Sequence, residues 1–372
     1  MAKSSKTFTF DDLNAELAGI NPLGSVMEMS DFSEITEYLD TGNYHLNACV
    51  SGSLFKGWPN NRACSVAGPS GTGKTFLMLN TVREAINKGY SVIYYDSEAA
   101  IDKELMKKFG IDVSKVNYQP VNTVQEFRTS VTTITKKMQE AKRNGAELPK
   151  VMILLDSAGN LATQKEIDDA VSGSEKADMT RSKVLKSIFR IIMTPLADLK
   201  IPFLFTNHTY MSQDFMPVNV AGGGTGPEYA ASIVLILTKA QLKDKSGKER
   251  VGIIVTAKPA KNRFAKPVPV KFHLDFSKGM NKFVGLEKYA TWDICGIARG
   301  TIDPKTKEKV LKDTARTWVC KHLDVAIPDS EFFTETVFTQ DVLEQIDAYI
   351  QPIFNYNSET ADFIDDIIND ED

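Results

Sequence analysis

Gly68-Pro69-Ser70-Gly71-Thr72-Gly73-Lys74-Thr75 gathers glycines, a lysine and a hydroxyl into one short stretch, directly after the apolar run Ala63-Cys-Ser-Val-Ala67 and ahead of an amphipathic segment. Both the pattern, G-x-x-x-x-G-K-[ST], and its strand–loop–helix context are those of a loop that cradles phosphates. Glycines let consecutive backbone N–H groups converge on phosphate oxygens, Lys74 adds a point charge for the outer phosphates, and the Thr75 hydroxyl suits Mg²⁺. These residues predict a site for a nucleoside triphosphate with its cation.

Chemistry at such a site needs carboxylates at the ends of neighbouring strands. Val151-Met-Ile-Leu-Leu-Asp156 reads as a buried strand ending in an acid, and Asp156 is the expected second metal contact. Ser91-Val-Ile-Tyr-Tyr-Asp96-Ser-Glu98 is the first strand after the loop's helix. A general base must reach the water that attacks the outer phosphate, and Asp96 and Glu98 are equal candidates on sequence. The segment from Thr209 to Gly226 holds Tyr210, Met211, Phe215 and Met216, then Gly222, Gly223 and Gly224, and no Lys or Arg. It cannot grip phosphates by side-chain charge. Backbone N–H groups and apolar wedges between unstacked bases remain, which suits sequence-tolerant binding of single strands. Arg181 and Lys183 open a helix and are candidates for phosphate contact, a solvated helical face being the alternative.

The elements that must hold these residues follow an alternating pattern from Arg62 to Phe276, short apolar runs separated by helical stripes, which predicts βαβ units and a mainly parallel sheet. Expected strands are Cys64–Ala67, Val92–Asp96, Lys115–Gln119, Val151–Asp156, Pro202–Asn207, Ser232–Thr238, Val251–Ala257 and Val268–Leu274. Thr123-Val-Gln-Glu126 is a capping box that opens a helix with Val124, Phe127, Val131, Ile134 and Met138 on one side. Val184, Leu185, Ile188, Phe189 and Ile192 trace a second buried stripe. Beyond residue 231 short turns such as Asp244-Lys-Ser-Gly-Lys248 predict antiparallel strands. The fold class is therefore α/β, with a mixed, mainly parallel sheet flanked by helices. Four units are expected: an N-terminal arm over 1–45, with a helix at Phe10–Ala18 capped by Asp11 or Asp12; an ATPase core over 46–280; a small C-terminal module over 281–356; and an acidic tail over 357–372.

Charge sharpens that division. The chain of 372 residues has a net charge of −4, yet every one of its 44 Lys and Arg lies at or before Lys321. Residues 1–321 therefore carry +10 and the remainder −14. A detachable polyanion can compete with nucleic acid for a basic body, or can merely keep the chain in solution, and composition does not separate the two. Scattered Cys49, Cys64, Cys295 and Cys320 argue against a zinc or disulfide framework. The N-terminus lacks an apolar segment and no apolar run approaches bilayer length, which predicts a cytoplasmic protein with no membrane partner.

Tyr95-Asp-Ser-Glu98, Leu155-Asp-Ser-Ala-Gly-Asn-Leu-Ala162, Asp178-Met-Thr-Arg-Ser-Lys183, Asn207-His-Thr-Tyr210 and Gly222-Gly-Gly-Thr-Gly-Pro227 occur in an order that resembles RecA-type recombinases, most closely the UvsX group of tailed phages. The likeness spans about residues 60–275. It implies an ATP- and Mg²⁺-dependent, DNA-stimulated ATPase that forms helical homo-oligomeric filaments on single-stranded DNA, pairs them with homologous duplex DNA, and meets mediator and single-strand-binding proteins. It implies Glu98 as the carboxylate that orients water, Asp102 at the adenine amino group, and His208 as the γ-phosphate sensor that couples nucleotide to DNA. Leu105 departs from the family's base-stacking Tyr. Lys165–Asp178 would be the first DNA-facing loop and Thr209–Gly226 the second. Lys261-Asn-Arg263, within a segment of ten basic residues between Lys239 and Lys271, would reach a neighbouring subunit's γ-phosphate. The competing readings are a hexameric helicase of the same superfamily and an ATP-binding scaffold without strand exchange.

Overall fold

The computed structural model describes residues 8–21, 23–173, 181–211, 219–221, 229–244 and 246–356. Helix α1 (Phe10–Ile20) begins at Thr9, whose hydroxyl accepts from Asp12 N at 3.2 Å while the Asp12 carboxylate accepts from Thr9 N at 2.8 Å. The expected cap at Asp11 or Asp12 is thereby corrected. Asp12 is the third helical residue, and a Thr-x-x-Asp spacing satisfies two backbone donors reciprocally. β1 (Tyr38–Leu39) and β2 (Trp58–Pro59) then pair around α2 (Tyr44–Ser51).

The alternating region comprises β3 (Ala63–Ala67), α3 (Lys74–Asn87), β4 (Ser91–Asp96), α4 (Lys103–Lys108), β5 (Val116–Pro120), α5 (Val124–Arg143), β6 (Val151–Asp156), α6 (Gln164–Val171), α7 (Arg181–Asp198) and β7 (Phe203–Asn207). A two-stranded ribbon, β8 (Thr209–Met211) against β9 (Asn219–Ala221), precedes the hairpin of β10 (Ile233–Lys243) and β11 (Arg250–Asn262), followed by β12 (Val270–Asp275) and β13 (Gly279–Met280). One nine-stranded sheet runs in the order β13-β12-β11-β10-β3-β7-β6-β4-β5. From β10 to β5 all neighbours are parallel, and β11, β12 and β13 are antiparallel, so the sheet is mixed and mainly parallel as expected.

Alternation along each strand divides the core between the sheet's two faces. Val92, Tyr94, Met152, Leu154 and Leu204 join a cluster with Leu77, Met78 and Val82 of α3. Tyr95, Ile153, Leu155, Phe203 and Phe205 face the other way, onto Val124, Phe127 and Val131 of α5 and Leu185, Ile188, Phe189 and Ile192 of α7. Phe189, Phe203 and Phe205 are fully buried and in ring contact. Each contributes about 1.5–3 kcal/mol by burial. The Thr123–Glu126 capping box forms as predicted.

Only β6 keeps both expected bounds; most other strands shift by one or two residues, and the shifts at β5, β10 and β11 have a physical cause. Lys115 belongs to a 3-10 turn over Val113–Lys115 that Asp112 caps, so β5 starts at Val116. β10 and β11 extend past the sheet body through Lys239–Lys243 and their partners, because a hairpin's own ladder sustains strands without an apolar face.

C-terminal to the sheet, β14 (Ile297–Ile302), β15 (Lys309–Leu311), β16 (Thr317–Cys320) and β17 (Ile327–Pro328) form a small antiparallel sheet, and α8 (Gln340–Phe354) follows. Trp318 stacks on Phe332 with ring centroids 3.9 Å apart. Phe283, Phe338, Ile346 and Ile350 join the same apolar cluster as Leu77 and Leu237. Among the described residues no helix is long and apolar enough to cross a membrane.

Candidate nucleotide and nucleic-acid site

Four adjacent strands, β3, β7, β6 and β4, end side by side at their carboxyl edges, where ligands of open α/β sheets bind. Ala67 lies opposite Asn207 and Asp96 opposite Asp156 in the ladder. Gly68 N donates to Asn207 O at 3.2 Å and Ser97 N to Asp156 O at 2.8 Å, so the phosphate loop, Asp156, His208 and Glu98 leave the sheet at one level.

The loop's glycines are required by its shape. Gly73 has φ +86°, and a Cβ there would lie 2.3 Å from Leu274 Cδ1; at Gly68 a Cβ would lie 2.7 Å from Leu237 O. Only a backbone without side chains fits, which leaves the N–H groups at the start of α3 to face an anion. Lys74 is 7% exposed, and its Nζ donates to Gly68 O at 2.9 Å and Pro69 O at 3.1 Å. Burial holds its ammonium below the usual lysine range, with Glu98 and Asp156 opposing and Lys239 reinforcing that shift. The loop thus carries a partly desolvated cation that no carboxylate touches among the described residues.

Asp156 and Thr75 meet as the sequence predicts, Thr75 Oγ1 donating to Asp156 Oδ2 at 2.8 Å. Tyr94 OH donates to the same oxygen at 3.0 Å and Thr206 Oγ1 to Oδ1. Burial pushes the Asp156 carboxyl up, against those three hydrogen bonds. A carboxylate and a hydroxyl, both hard oxygen donors fixed from behind, suit Mg²⁺.

Glu98 Oε1 accepts from Ser157 Oγ at 2.6 Å and lies 2.8 Å from His208 Nε2. Burial alone would raise the Glu98 carboxyl; the Ser157 and His208 hydrogen bonds outweigh it and hold it below the ordinary range. Asp96 is committed elsewhere: its carboxylate accepts from Glu98 N at 2.8 Å and Tyr118 OH at 3.1 Å. Of the two acids, Glu98 is the one in contact with His208.

His208 opens directly into β8, the first strand of the ribbon. Behind it, a Cβ on Gly159 would lie 2.8 Å from Asn207 Oδ1 and 3.5 Å from His208 Cδ2, and Arg181 of α7 donates to Gly159 O. Arg181 is therefore turned toward the sensor, whereas Lys183 is exposed. The side chain of Tyr210 and residues Phe215, Met216, Gly222, Gly223 and Gly224 lie outside the described residues, as does the 174–180 part of the first loop. Asp102 caps α4, accepting from Leu105 N at 2.7 Å, and Leu105 packs against the core.

Lys261 and Arg263 sit elsewhere. Lys261 pairs with Val234 at the amino end of β10, and its Nζ donates to Tyr229 O at 3.0 Å, away from the subunit's own phosphate loop. Sequence reasoning passed over Tyr94, Thr206 and Ser157, all in quoted strands or motifs, and also Lys239. Lys239 Nζ donates to Ser70 O at 2.7 Å, placing a second cation on the loop from β10. No local signal marks the first two, because the strands beside β6 that carry them are set by the sheet order.

Comparison with known proteins agrees with this geometry. Residues 16–281 match the family described as the RecA N-terminal domain. The recombination and repair protein of Enterobacteria phage T4 is 30% identical over 281 residues, covering 74% of this chain and 69% of that protein. Protein RecA of Streptomyces coelicolor is 27% identical over 292 residues, 77% of this chain and 73% of its own. Protein RecA of Bacteroides thetaiotaomicron is 26% identical over 264 residues, covering 69% and 74%.

Proposed function

The chain belongs to the RecA recombinase family, and from that premise we propose that it is a DNA-dependent ATPase that polymerises on single-stranded DNA and drives pairing and strand exchange with homologous duplex. The observation that carries this reading is the direct contact between Glu98 and His208 at 2.8 Å, with His208 continuing into the ribbon. One contact joins the carboxylate beside the phosphate loop to the segment that would face DNA.

A bound ATP with Mg²⁺ supplies the phosphoanhydride bond and a charge clamp on its outer oxygens. The backbone N–H groups of Ser70–Thr75 and Lys74 would hold the phosphates, relieving the desolvated ammonium. Thr75 and Asp156 would hold the cation, and Asp102 would face the adenine. With Oε1 engaged by Ser157 and His208, Glu98 has Oε2 to accept a proton from water and align it. His208 holds the carboxylate's orientation, so any group that competes for Nε2 also moves the start of β8. His208 would in that way link nucleotide state to loop order.

Lys261 and Arg263 would serve the next subunit. Lys261 is two strands across and three residues back from Gly68, roughly 14 Å from it by strand spacing. Its side chain points further away, so these cations fit a neighbour's phosphates better than their own, which makes turnover depend on assembly. Helix α1 supplies a surface for that assembly: none of its residues is buried, and Phe10, Leu13, Leu17 and Ile20 are exposed.

ATP hydrolysis measured with and without single-stranded DNA, together with electron microscopy, tests the reading. Stimulated turnover with helical filaments is expected; closed rings would indicate a helicase, and turnover indifferent to DNA would remove strand exchange.

A further inference from the structure

Among the described residues, none from Phe8 to Ser30 has a buried side chain, and Leu23, Val26, Met27 and Met29 are exposed like the apolar residues of α1. The first hydrogen bond from this end of the chain to the core is at Asp31. Everything before it is carried by one turn, Asp31-Phe32-Ser33-Glu34, which Glu34 N closes by donating to Asp31 O at 3.1 Å.

Three core side chains hold that turn, and all three hold it by its backbone. Lys200 Nζ donates to Asp31 O, to Glu34 O at 2.8 Å and to Phe32 O at 3.3 Å. Arg62 donates to Ser33 O at 2.8 Å and Asn61 to Glu34 O at 2.7 Å. Among the described residues no carboxylate pairs with Lys200 or Arg62. Burial holds the Lys200 ammonium below the usual lysine range, although Asp31 and Glu34 oppose that shift. Three carbonyl oxygens drawn to one point repel one another unless a cation sits between them. The turn therefore depends on this ammonium more than on Arg62 or Asn61, each of which serves one of its carbonyls.

Lys200 stands where a glycine is expected. Its N–H donates to Ala197 O at 3.2 Å and that of Ile201 to Leu196 O at 2.9 Å, the paired bonds that end a helix on one left-handed residue, and its φ is +53°. Any side chain is strained there, and strain kept in a packed fold points to a use for the side chain that bears it.

We propose that Lys200 is a positioning residue for subunit assembly: by gathering the carbonyls of Asp31, Phe32 and Glu34, it fixes the point and direction from which residues 8–30 leave the core to reach a neighbour. The clamp stands on the geometry alone, whereas its effect on assembly rests on the function proposed above.

Hydrogen exchange on the full chain, without nucleotide or DNA, reads the clamp. Lys200→Gly removes the ammonium and relieves the backbone, so α7 and the sheet are kept. Amides of residues 31–37 should then exchange roughly tenfold faster, the worth of one charge-assisted hydrogen bond, while those of β3 and β6 stay as they were. Lys200→Met should do the same, and Lys200→Arg, which retains a cationic donor, should keep most of the protection. Exchange over 31–37 that is unchanged in the first two variants, or that rises as much with arginine, overturns the clamp.

Light scattering with an ATP analogue and single-stranded DNA reads the consequence. The protein concentration needed for assembly should rise roughly tenfold in Lys200→Gly and Lys200→Met and recover with Lys200→Arg. Nucleotide affinity of the subunit should not move, because Lys200 precedes the amino end of β7 and the phosphate loop lies at the carboxyl edge. Faster exchange with unaltered assembly refutes the positioning role. A parent chain that never assembles, with faster exchange in the variants, leaves the clamp standing and counts against the proposed function.

Discussion

Replacing His208 with Ala removes the 2.8 Å contact to Glu98 Oε1 and leaves Ser157 Oγ, at 2.6 Å, as that oxygen's partner. A hydrogen bond to a charged group contributes about 1.5–3 kcal/mol. Here the two side chains are 25% and 23% exposed, so solvent screening favours the lower end. About 1.4 kcal/mol is tenfold in rate, so DNA-stimulated ATP turnover should fall about tenfold in His208→Ala. Glu98→Gln removes the base itself and should cost about 10²–10⁴-fold. The decisive assay is the double variant. If His208 acts by positioning Glu98, the double variant is no slower than Glu98→Gln alone, and nucleotide affinity is unchanged in all three. His208→Gln, which retains an N–H donor, should recover part of the loss. A double variant about tenfold slower than Glu98→Gln would show that His208 acts independently of the carboxylate and would refute the positioning argument.

Gly73→Ala forces a side chain into φ +86° and against Leu274; we expect at least about 1–3 kcal/mol of destabilisation by chemical unfolding and loss of nucleotide binding. Mixing inactive Glu98→Gln subunits with inactive Lys261→Ala, Arg263→Ala subunits should restore turnover at about a quarter of the interfaces, and no recovery would argue against a shared site. Polar substitution of Phe10, Leu13, Leu17 and Ile20 should change unfolding free energy by less than about 0.5 kcal/mol while abolishing nucleotide-dependent light scattering, because α1 buries nothing within its own subunit. Glu37 accepts from Tyr90 OH at 2.6 Å and pairs with Lys150 at 3.1 Å. Burial opposes these partners, yet its carboxyl is held below the usual range. Its stabilisation is then full above the unfolded glutamate pKa and lost as pH falls through the lower folded value. Glu37→Gln should therefore cost about 0.5–1 kcal/mol at neutral pH and progressively less in acid, as read by thermal melts.

The strands and the phosphate loop were legible because their causes are local. A run such as Ala63–Ala67, buried at every position, has few uses other than a central strand, and Gly73 announces a backbone that admits no side chain. Asp156 was legible from its place at the end of such a run. Its supports were not, because Tyr94 and Thr206 reach it from the strands on either side, and which strands are neighbours is decided by topology. Lys239 was missed for a related reason. It lies just past the apolar part of β10, where the hairpin with β11 prolongs the strand without any hydrophobic signal. The choice between Asp96 and Glu98 could not be made from the residues alone, since both follow one strand. Their partners separate them, Tyr118 and the Glu98 backbone for the first, His208 and Ser157 for the second.

Placement of the charges explains why a protein of this architecture would act as a polymer. Lys74, Lys239, Asp156 and Glu98 crowd the carboxyl edge of the parallel strands, whereas Lys261, Arg263 and Arg62 lie toward the amino edge. On the function proposed above, a single subunit carries two half-sites on opposite ends of its sheet, too far apart to meet. Contact between such unlike surfaces is head-to-tail, and it closes into a ring only if the rotation per step divides the circle. On that reading, turnover that needs both halves would exist only where subunits touch, so substitutions at the amino edge should change turnover without changing nucleotide affinity.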